Sequence, residues 1–201
     1  MIELSDYDNP FDAIADFENK LATYTGSPYA VATDCCTHAM ELCLRYLKPS
    51  ETITIPHRTY LSVPMLMHKL QLDYTIEEYE WEGRYQLGNT SIWDSARMLY
   101  MDMHHPSQFQ CLSFGRTKPL EIGRGGAILT DNKEAYEWLK KASYDGRDIS
   151  ISPWQDQKEF QVGYHYMMRP EECIDGINGF GNINNAYSHT YPDIRKINIA
   201  S

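Results

Sequence analysis

The chain has no apolar run near the roughly 20 residues that a bilayer-spanning helix needs. Its start, MIELSDYDNP, carries acids and lacks the basic-then-apolar order of a secretory leader. Cations are scarce: 18 Lys and Arg stand against 28 Asp and Glu, a formal net charge of −10. Nucleic acid and anionic membranes both require a basic surface, so neither is an expected partner. Cysteine is sparse and poorly spaced for a metal or a disulfide framework. There are five, an odd number, with Cys35 and Cys36 adjacent and no C-x-x-C spacing. Reduced thiols in a cytoplasmic protein are the expected state. Tyrosine is abundant at 15 residues, and methionine at 9. A chain of 201 residues suffices for one domain with a sizeable core.

Apolar periodicity alternates between helical and strand spacing. Phe11, Ile14, Phe17, Leu21 and Tyr24 share a helical face, with Asn9-Pro10 as the start and Gly26 as the stop. A strand over Tyr29 to Thr33 precedes a helix through Met40, Cys43, Leu44 and Leu47. Strands follow at Thr52 to Ile55, Leu72 to Ile76, Ser91 to Asp94, Phe109 to Phe114 and Ala127 to Leu129. Further helices are expected at Leu61 to Lys69, Asp131 to Ser143, and from Pro170 to about Tyr187. Glu77 to Arg84, EEYEWEGR, reads as a solvated charged loop. The tail, about 188–201, is expected to be mobile. This alternation predicts an α/β fold, a mostly parallel sheet flanked by helices.

The organising stretch is Cys111 to Thr130, CLSFGRTKPLEIGRGGAILT. Its first apolar run opens at Ser113-Phe114 into a loop with a single lysine, Lys118. Gly123, Gly125 and Gly126 then lead into the next run. A lysine fixed just beyond a strand end suits Schiff-base chemistry, in which a neutral amine attacks a carbonyl. Paired glycines let the backbone pass close to a flat ligand. Taken alone, Lys118 reads far more simply as an ordinary loop lysine.

The same stretch resembles the lysine segment of the DegT/DnrJ/StrS sugar aminotransferases, roughly S-F-x-x-x-K-x-x-x-x-G-E-G-G before a strand. Ser113, Phe114, Lys118, Gly123, Gly125 and Gly126 match, and Arg124 replaces the glutamate. The resemblance runs from about Phe17 to Ile183. It implies the large domain of a pyridoxal 5'-phosphate (PLP) enzyme of fold type I, the aspartate-aminotransferase fold, with the C-terminal small domain largely missing. Either the chain is a minimal version or the remainder comes from elsewhere.

Residue by residue, the resemblance implies that Lys118 holds PLP and moves the substrate proton. Asp94, in a D-x-A motif, would pair with the pyridine nitrogen. Arg97 stands where that motif usually ends in Gln or His. Cys36 and Thr37 occupy the usual Gly-Thr at a helix start, where free N–H groups receive the phosphate. Tyr60 would lie against the ring, and Ser113 would complete the set. Val162 to Arg169 resembles a G-x-N-x-R-M stretch that often reaches the neighbouring subunit, with His165 and Met167 replacing its polar and basic members. A homodimer with a shared site is therefore expected. The implied reaction moves an amino group, with glutamate as donor, to a keto-sugar, nucleotide-linked in this family's pattern. Relatives that are dehydrases carry His at the lysine position, which Lys118 argues against. Two alternatives stand beside this: a PLP-binding remnant without turnover, and a subunit that completes a partner's site. Asp102, His104 and His105 could bind a divalent metal, but no further ligands stand at recognisable spacing, so no metal is expected.

Overall fold

Local chemistry sets the ends of most elements in the computed structural model, which describes residues 1–185 and 191–198. Helix α1 (Asp12–Thr25) is preceded by a turn in which Asn9 Oδ1 accepts from the Phe11 N–H at 3.3 Å. It stops at Gly26, whose φ of 71° suits glycine. Strand β1 (Tyr29–Thr33) leads to α2 (Cys36–Leu47), where the Cys35 sulfur accepts from the His38 N–H at 3.4 Å. Then come β2 (Ile53–Pro56), α3 (Ser62–Leu70), β3 (Tyr74–Glu77), β4 (Tyr85–Gln86), β5 (Ile92–Asp94), β6 (Phe109–Ser113) and β7 (Gly126–Thr130). Helix α4 (Lys133–Ser143) is capped by Asn132, whose side chain accepts from the Ala135 N–H at 3.0 Å.

Helix α5 (Pro170–Gly179) opens with proline at its first turn. It is shorter than the span to Tyr187 read from the sequence. After Gly179 the chain tightens into a 3₁₀ turn, Phe180–Asn182, where Gly179 and Gly181 weaken helix propensity. Residues 186–190 and 199–201, which include the expected helix end and much of the expected tail, lie outside the described residues.

The strands form a five-stranded sheet, in the order β1-β7-β6-β5-β4, and a separate β2-β3 pair. The sheet is mixed, which corrects the mostly parallel expectation. β5–β6 and β2–β3 are parallel, whereas β1–β7, β6–β7 and β4–β5 are antiparallel. A parallel neighbour needs a long crossover, usually helical. β4 and β5 are instead joined by the short stretch 87–91, and β6 and β7 by the lysine loop, 114–125.

Side chains alternate across this sheet as the pleat requires. Val31, Cys111 and Ile128 pack on one face with Leu42, Met67 and Leu139 from α2, α3 and α4. Ala32, Leu112 and Leu129 face the other way, against Phe17 and Leu21 of α1 and Ile177 of α5. The result is a sheet covered by helices on both faces. Cys43 and Cys111 lie in the first core with their sulfurs 3.9 Å apart, and burial pushes the Cys111 thiol well up, leaving it protonated and inert.

One edge of this sheet gathers the ends that matter for chemistry. Thr33, Gly126 and Ser113 are register partners across β1, β7 and β6, and Asp94 pairs with Cys111. The carboxyl ends of β1, β5 and β6 therefore meet the start of β7, the position at which open α/β sheets bind ligands. Gly126 is held there by contact: a Cβ on it would lie 2.5 Å from the Cys35 carbonyl carbon and from the Cys36 nitrogen. Backbone cannot give way as a flexible side chain can. We predict that Gly126→Ala destabilises the fold by about 1–3 kcal/mol, the usual penalty for overpacking. Urea unfolding measures it; an unchanged midpoint would contradict the close approach.

Candidate active site

The lysine loop is closed on itself by backbone hydrogen bonds. The N–H groups of Ile122 and Gly123 both donate to the Phe114 carbonyl at 3.0 Å, and Phe114 N–H donates to the Gly125 carbonyl at 2.9 Å. Within it, the Lys118 N–H returns to the Gly115 carbonyl at 3.2 Å. Thr117, the residue before the lysine, sits in the left-handed region at φ 69°. A β-branched residue there is strained by about 1–3 kcal/mol and persists only where its surroundings fix it. Lys118 is half-buried, and its amine points into a cleft of about 390 Å³.

The cleft brings together most of the residues read from the sequence: Cys36, Thr37, Tyr60, Asp94, Ser113 and Lys118 all line it. Cys36 and Thr37 open α2, so their N–H groups have no partner within the helix. The Thr37 and Ser62 hydroxyls lie 2.7 Å apart beside them. Cys36 is buried, and desolvation, together with the charge of Asp94, pushes its thiol well above the ordinary range. It behaves as a small apolar wall. Tyr60 is 60% exposed at the rim.

Asp94 is the buried charge of the site, 6% exposed. Burial raises its pKa; the Ala96 N–H, the Tyr85 hydroxyl and the Lys118 charge pull it down but do not fully offset burial. Ala96 N–H donates to Oδ1 at 3.0 Å and Tyr85 Oη to Oδ2 at 2.9 Å. The Thr59 hydroxyl lies 2.6 Å from Tyr85 Oη; with the phenol proton committed to Asp94, Thr59 is the donor. This leaves acceptor capacity on a carboxylate that has no ion pair among the described residues.

Arg97 is not in the cleft wall. Its guanidinium lies 5.7 Å from the ring centres of both Trp81 and Tyr191, so it stands behind Tyr191, which does line the cleft. Trp81 itself belongs to the stretch read as a solvated loop, yet it is half-buried and its indole N–H donates to the Arg58 carbonyl at 2.8 Å. Sequence reasoning missed Ser62, Tyr85, Arg116 and Tyr191. Ser62 had a signal, a hydroxyl at a helix start. Tyr85 reaches Asp94 as its direct cross-strand partner, and Tyr191 comes from the expected tail. Residues 191–198 are seated against the body of the protein: the Ile194 N–H donates to the His57 carbonyl at 2.9 Å, and Ile194 is 3% exposed.

A model of the DegT/DnrJ/EryC1/StrS aminotransferase family matches residues 5–72 and 103–184. The chain belongs to this family. No curated protein matches it. Among solved structures, AtS13 from Actinomadura melliaura superposes with a TM-score of 0.71 at 16% identity, covering 84% of this chain and 59% of that one. The sugar aminotransferase CalS13 from Micromonospora echinospora gives 0.66 at 12% identity, covering 84% and 60%. DesV from S. venezuelae, solved in complex with a ketimine intermediate, gives 0.63 at 16%, covering 82% and 55%. The chain thus spans less than two thirds of the length of these neighbours, and at such identities the likeness is one of fold.

Arg124, the departure from the family's glutamate, has a partner in this chain. Its Nη2 donates to Asp34 Oδ2 at 2.9 Å and its Nε to the Asp34 carbonyl at 3.3 Å. Asp34 Oδ1 also accepts from His38 Nδ1 at 2.6 Å, and the His38 ring stacks on Tyr166 at 3.7 Å. The segment 163–169 therefore packs along its own chain, with the Tyr166 carbonyl accepting from Asp34 N–H at 2.7 Å. Asp34, Cys35 and His38 bring donor atoms within 4.8 Å of one another. Arg124 already places a cation on Asp34, which opposes a metal ion there. Among Asp102, His104 and His105, the ring nitrogens of His104 have no hydrogen-bond partner among the described residues.

Burial alone would lower the His38 pKa; the hydrogen bond to Asp34 outweighs it and raises it to about 9. The same pair, with Arg124, lowers Asp34 against its own desolvation. The stabilisation from His38 is fully present below its unfolded value of about 6.5. It is lost as pH rises through about 9. Loss on the acid side follows protonation of Asp34 below its unfolded value of about 4. We predict that Asp34→Asn brings the His38 titration, followed by NMR, down towards or below the ordinary histidine range. A midpoint that stays near 9 would mean that Asp34 is not what raises it.

Proposed function

We propose that the chain is a PLP-dependent aminotransferase that moves an amino group from an amino acid to a keto-sugar. Glutamate is the donor we infer, and the acceptor is nucleotide-linked; both come from the family resemblance. The observation that carries the reading is that Lys118, Asp94 and the N-terminus of α2 face one cleft.

The residues present fit the cofactor. Gly126 keeps the floor beneath α2 free of a side chain, where a Cβ would collide with the backbone of Cys35 and Cys36. The free N–H groups of Cys36 and Thr37, the Thr37 and Ser62 hydroxyls, and the positive end of α2 would hold the phosphate. Tyr60 would cover a ring face, and Ser113 would stand beside the phosphate cradle. Asp94 would accept from the ring nitrogen, and Lys118 would be the covalent anchor. When bound, PLP supplies an electron sink for a substrate carbanion.

The chain's own residues do the rest. The Asp94 carboxylate is raised by burial and has no ion pair among the described residues, so a protonated ring nitrogen next to it stabilises both charges. Tyr85 and Ala96 fix its direction. The Lys118 amine would take a proton from the substrate carbon and return it at another atom. Arg97 would support the cleft from beside the Tyr191 ring.

The assembly we infer is a two-fold homodimer. Tyr60, Leu61 and Met65 are exposed in the same stretch as Ser62 and Val63, which line the cleft. Such an apolar rim is better covered than left in water. Sedimentation across a dilution series decides this; a monomer at every concentration contradicts it. A cytoplasmic location accords with five free thiols.

The test of function is chemical. PLP added to the protein and fixed with borohydride should appear on Lys118 in peptide maps. Labelling elsewhere, or none, defeats the assignment. Asp94→Asn should keep most PLP binding yet lower turnover by about 10²–10³, the scale for loss of one preorganised electrostatic group. Turnover untouched by this change would remove Asp94 from its role.

A further inference from the structure

The Lys118 amine donates a hydrogen bond to the phenolic oxygen of Tyr191 at 3.2 Å. Tyr191 arrives from 73 residues further along the chain. Its ring is fixed on several sides. Trp81 stacks on it at 6.2 Å and 24°, and Tyr60 leans on it at 6.1 Å. The Arg97 guanidinium stands 5.7 Å from its centre.

Its backbone is tied down as well. Arg58 Nη1 donates to the Tyr191 carbonyl at 3.2 Å, and Arg58 forms a backbone bridge with Asp193. Arg195 then joins Asp193 at 2.7 Å and Glu78 at 2.9 Å. The strap 191–198 is thus anchored on the β2–α3 connection, the same connection that carries Thr59 and Tyr60. These anchors would hold the ring whether or not it bore a hydroxyl. The hydroxyl brings a contact with the lysine.

We propose that Tyr191 is a positioning residue for Lys118. The phenol accepts a hydrogen bond from the charged amine and can donate one to the neutral amine, so it holds the nitrogen at one place in the cleft in either state. A group held at a near-attack position reacts faster than the same group swinging on four methylenes. The proposal rests on reading Lys118 as the PLP lysine. It adds a residue from outside every motif that the sequence offered for the site.

Tyr191→Phe keeps the ring and its contacts and removes only the hydroxyl. Three measurements then separate the possibilities. In the protein without cofactor, the Lys118 ammonium protons followed by ¹⁵N NMR should exchange more slowly than those of the exposed Lys133. This protection should vanish in Tyr191→Phe. With PLP added, borohydride-trapped labelling of Lys118 should slow about fivefold, the equivalent of one hydrogen bond of about 1 kcal/mol. Pyridoxine 5'-phosphate, which has an alcohol in place of the aldehyde, should bind parent and variant within about twofold, because a positioned amine does not act on it. Equal ammonium exchange and equal labelling rates in the two proteins would overturn the proposal. So would an equal loss of affinity for both compounds, which marks a merely structural tyrosine. If the parent binds neither compound while the ammonium protection still depends on Tyr191, the aminotransferase reading falls and the positioning of Lys118 stands.

Discussion

The site depends on how closely β7 passes beneath the N-terminus of α2. Gly126 leaves no room for a Cβ against Cys35 and Cys36, and Gly125 bridges to Cys35. That contact sets the height of the helix start above the sheet edge. It also fixes the lysine loop, because the loop ends at Gly125 and its carbonyl holds Phe114. One backbone approach thereby sets the distance between an anion-receptive helix end and an amine. Side chains could not do this as well, since each would bring rotamer freedom to a place that needs a fixed floor.

Electrostatics completes what packing begins. In a chain with a net charge of −10, the cleft collects cations: Lys118, Arg116 and Arg124 all line it. Asp94 lies at the base of this group, raised by its burial. A buried carboxylate without an ion pair is expensive for folding. Its two hydrogen-bond donors, Tyr85 and Ala96, lower that cost without neutralising the charge. The arrangement is therefore most stable with a cation next to Asp94. The Asp34–His38–Arg124 cluster has the opposite character. Its charges are paired within the chain, it sits at the rim, and it stiffens the turn between β1 and α2.

Contiguous signals were legible in the sequence. Ser113, Lys118 and the glycine turn lie within one stretch, and each strand ending in Thr33, Asp94 or Ser113 could be found from its apolar run. The covered sheet followed from the same alternation. Strand direction was not legible, because periodicity is the same for parallel and antiparallel neighbours. It is decided by the connections, and here 87–91 and 114–125 replace helical crossovers. Tyr85 was hidden because its role comes from pairing opposite Asp94, not from its own neighbours. Tyr191 was hidden for the same reason at greater range: a terminal tail without clear periodicity looks unstructured until Ile194 finds a buried seat and Arg195 finds Glu78.

The distribution of the family match sharpens this point. The matched ranges, 5–72 and 103–184, contain the α2 start, Tyr60, Ser113 and Lys118. Asp94, Tyr85 and Trp81 fall in the unmatched stretch between them, and Tyr191 falls beyond the second range. The two sets nevertheless meet in one cleft or directly behind it. The reason is register. β5 pairs parallel with β6, and Asp94 opposite Cys111 delivers a carboxylate to the edge where Ser113 ends the next strand. Any segment that returns a short strand to that register can supply the acid, whatever its length or connections. Here a β4–β5 pair does so and contributes Tyr85 to orient the acid. The matched residues line the cleft from the α2 start and the lysine loop, and the unmatched ones supply hydrogen bonds to Asp94 and Lys118.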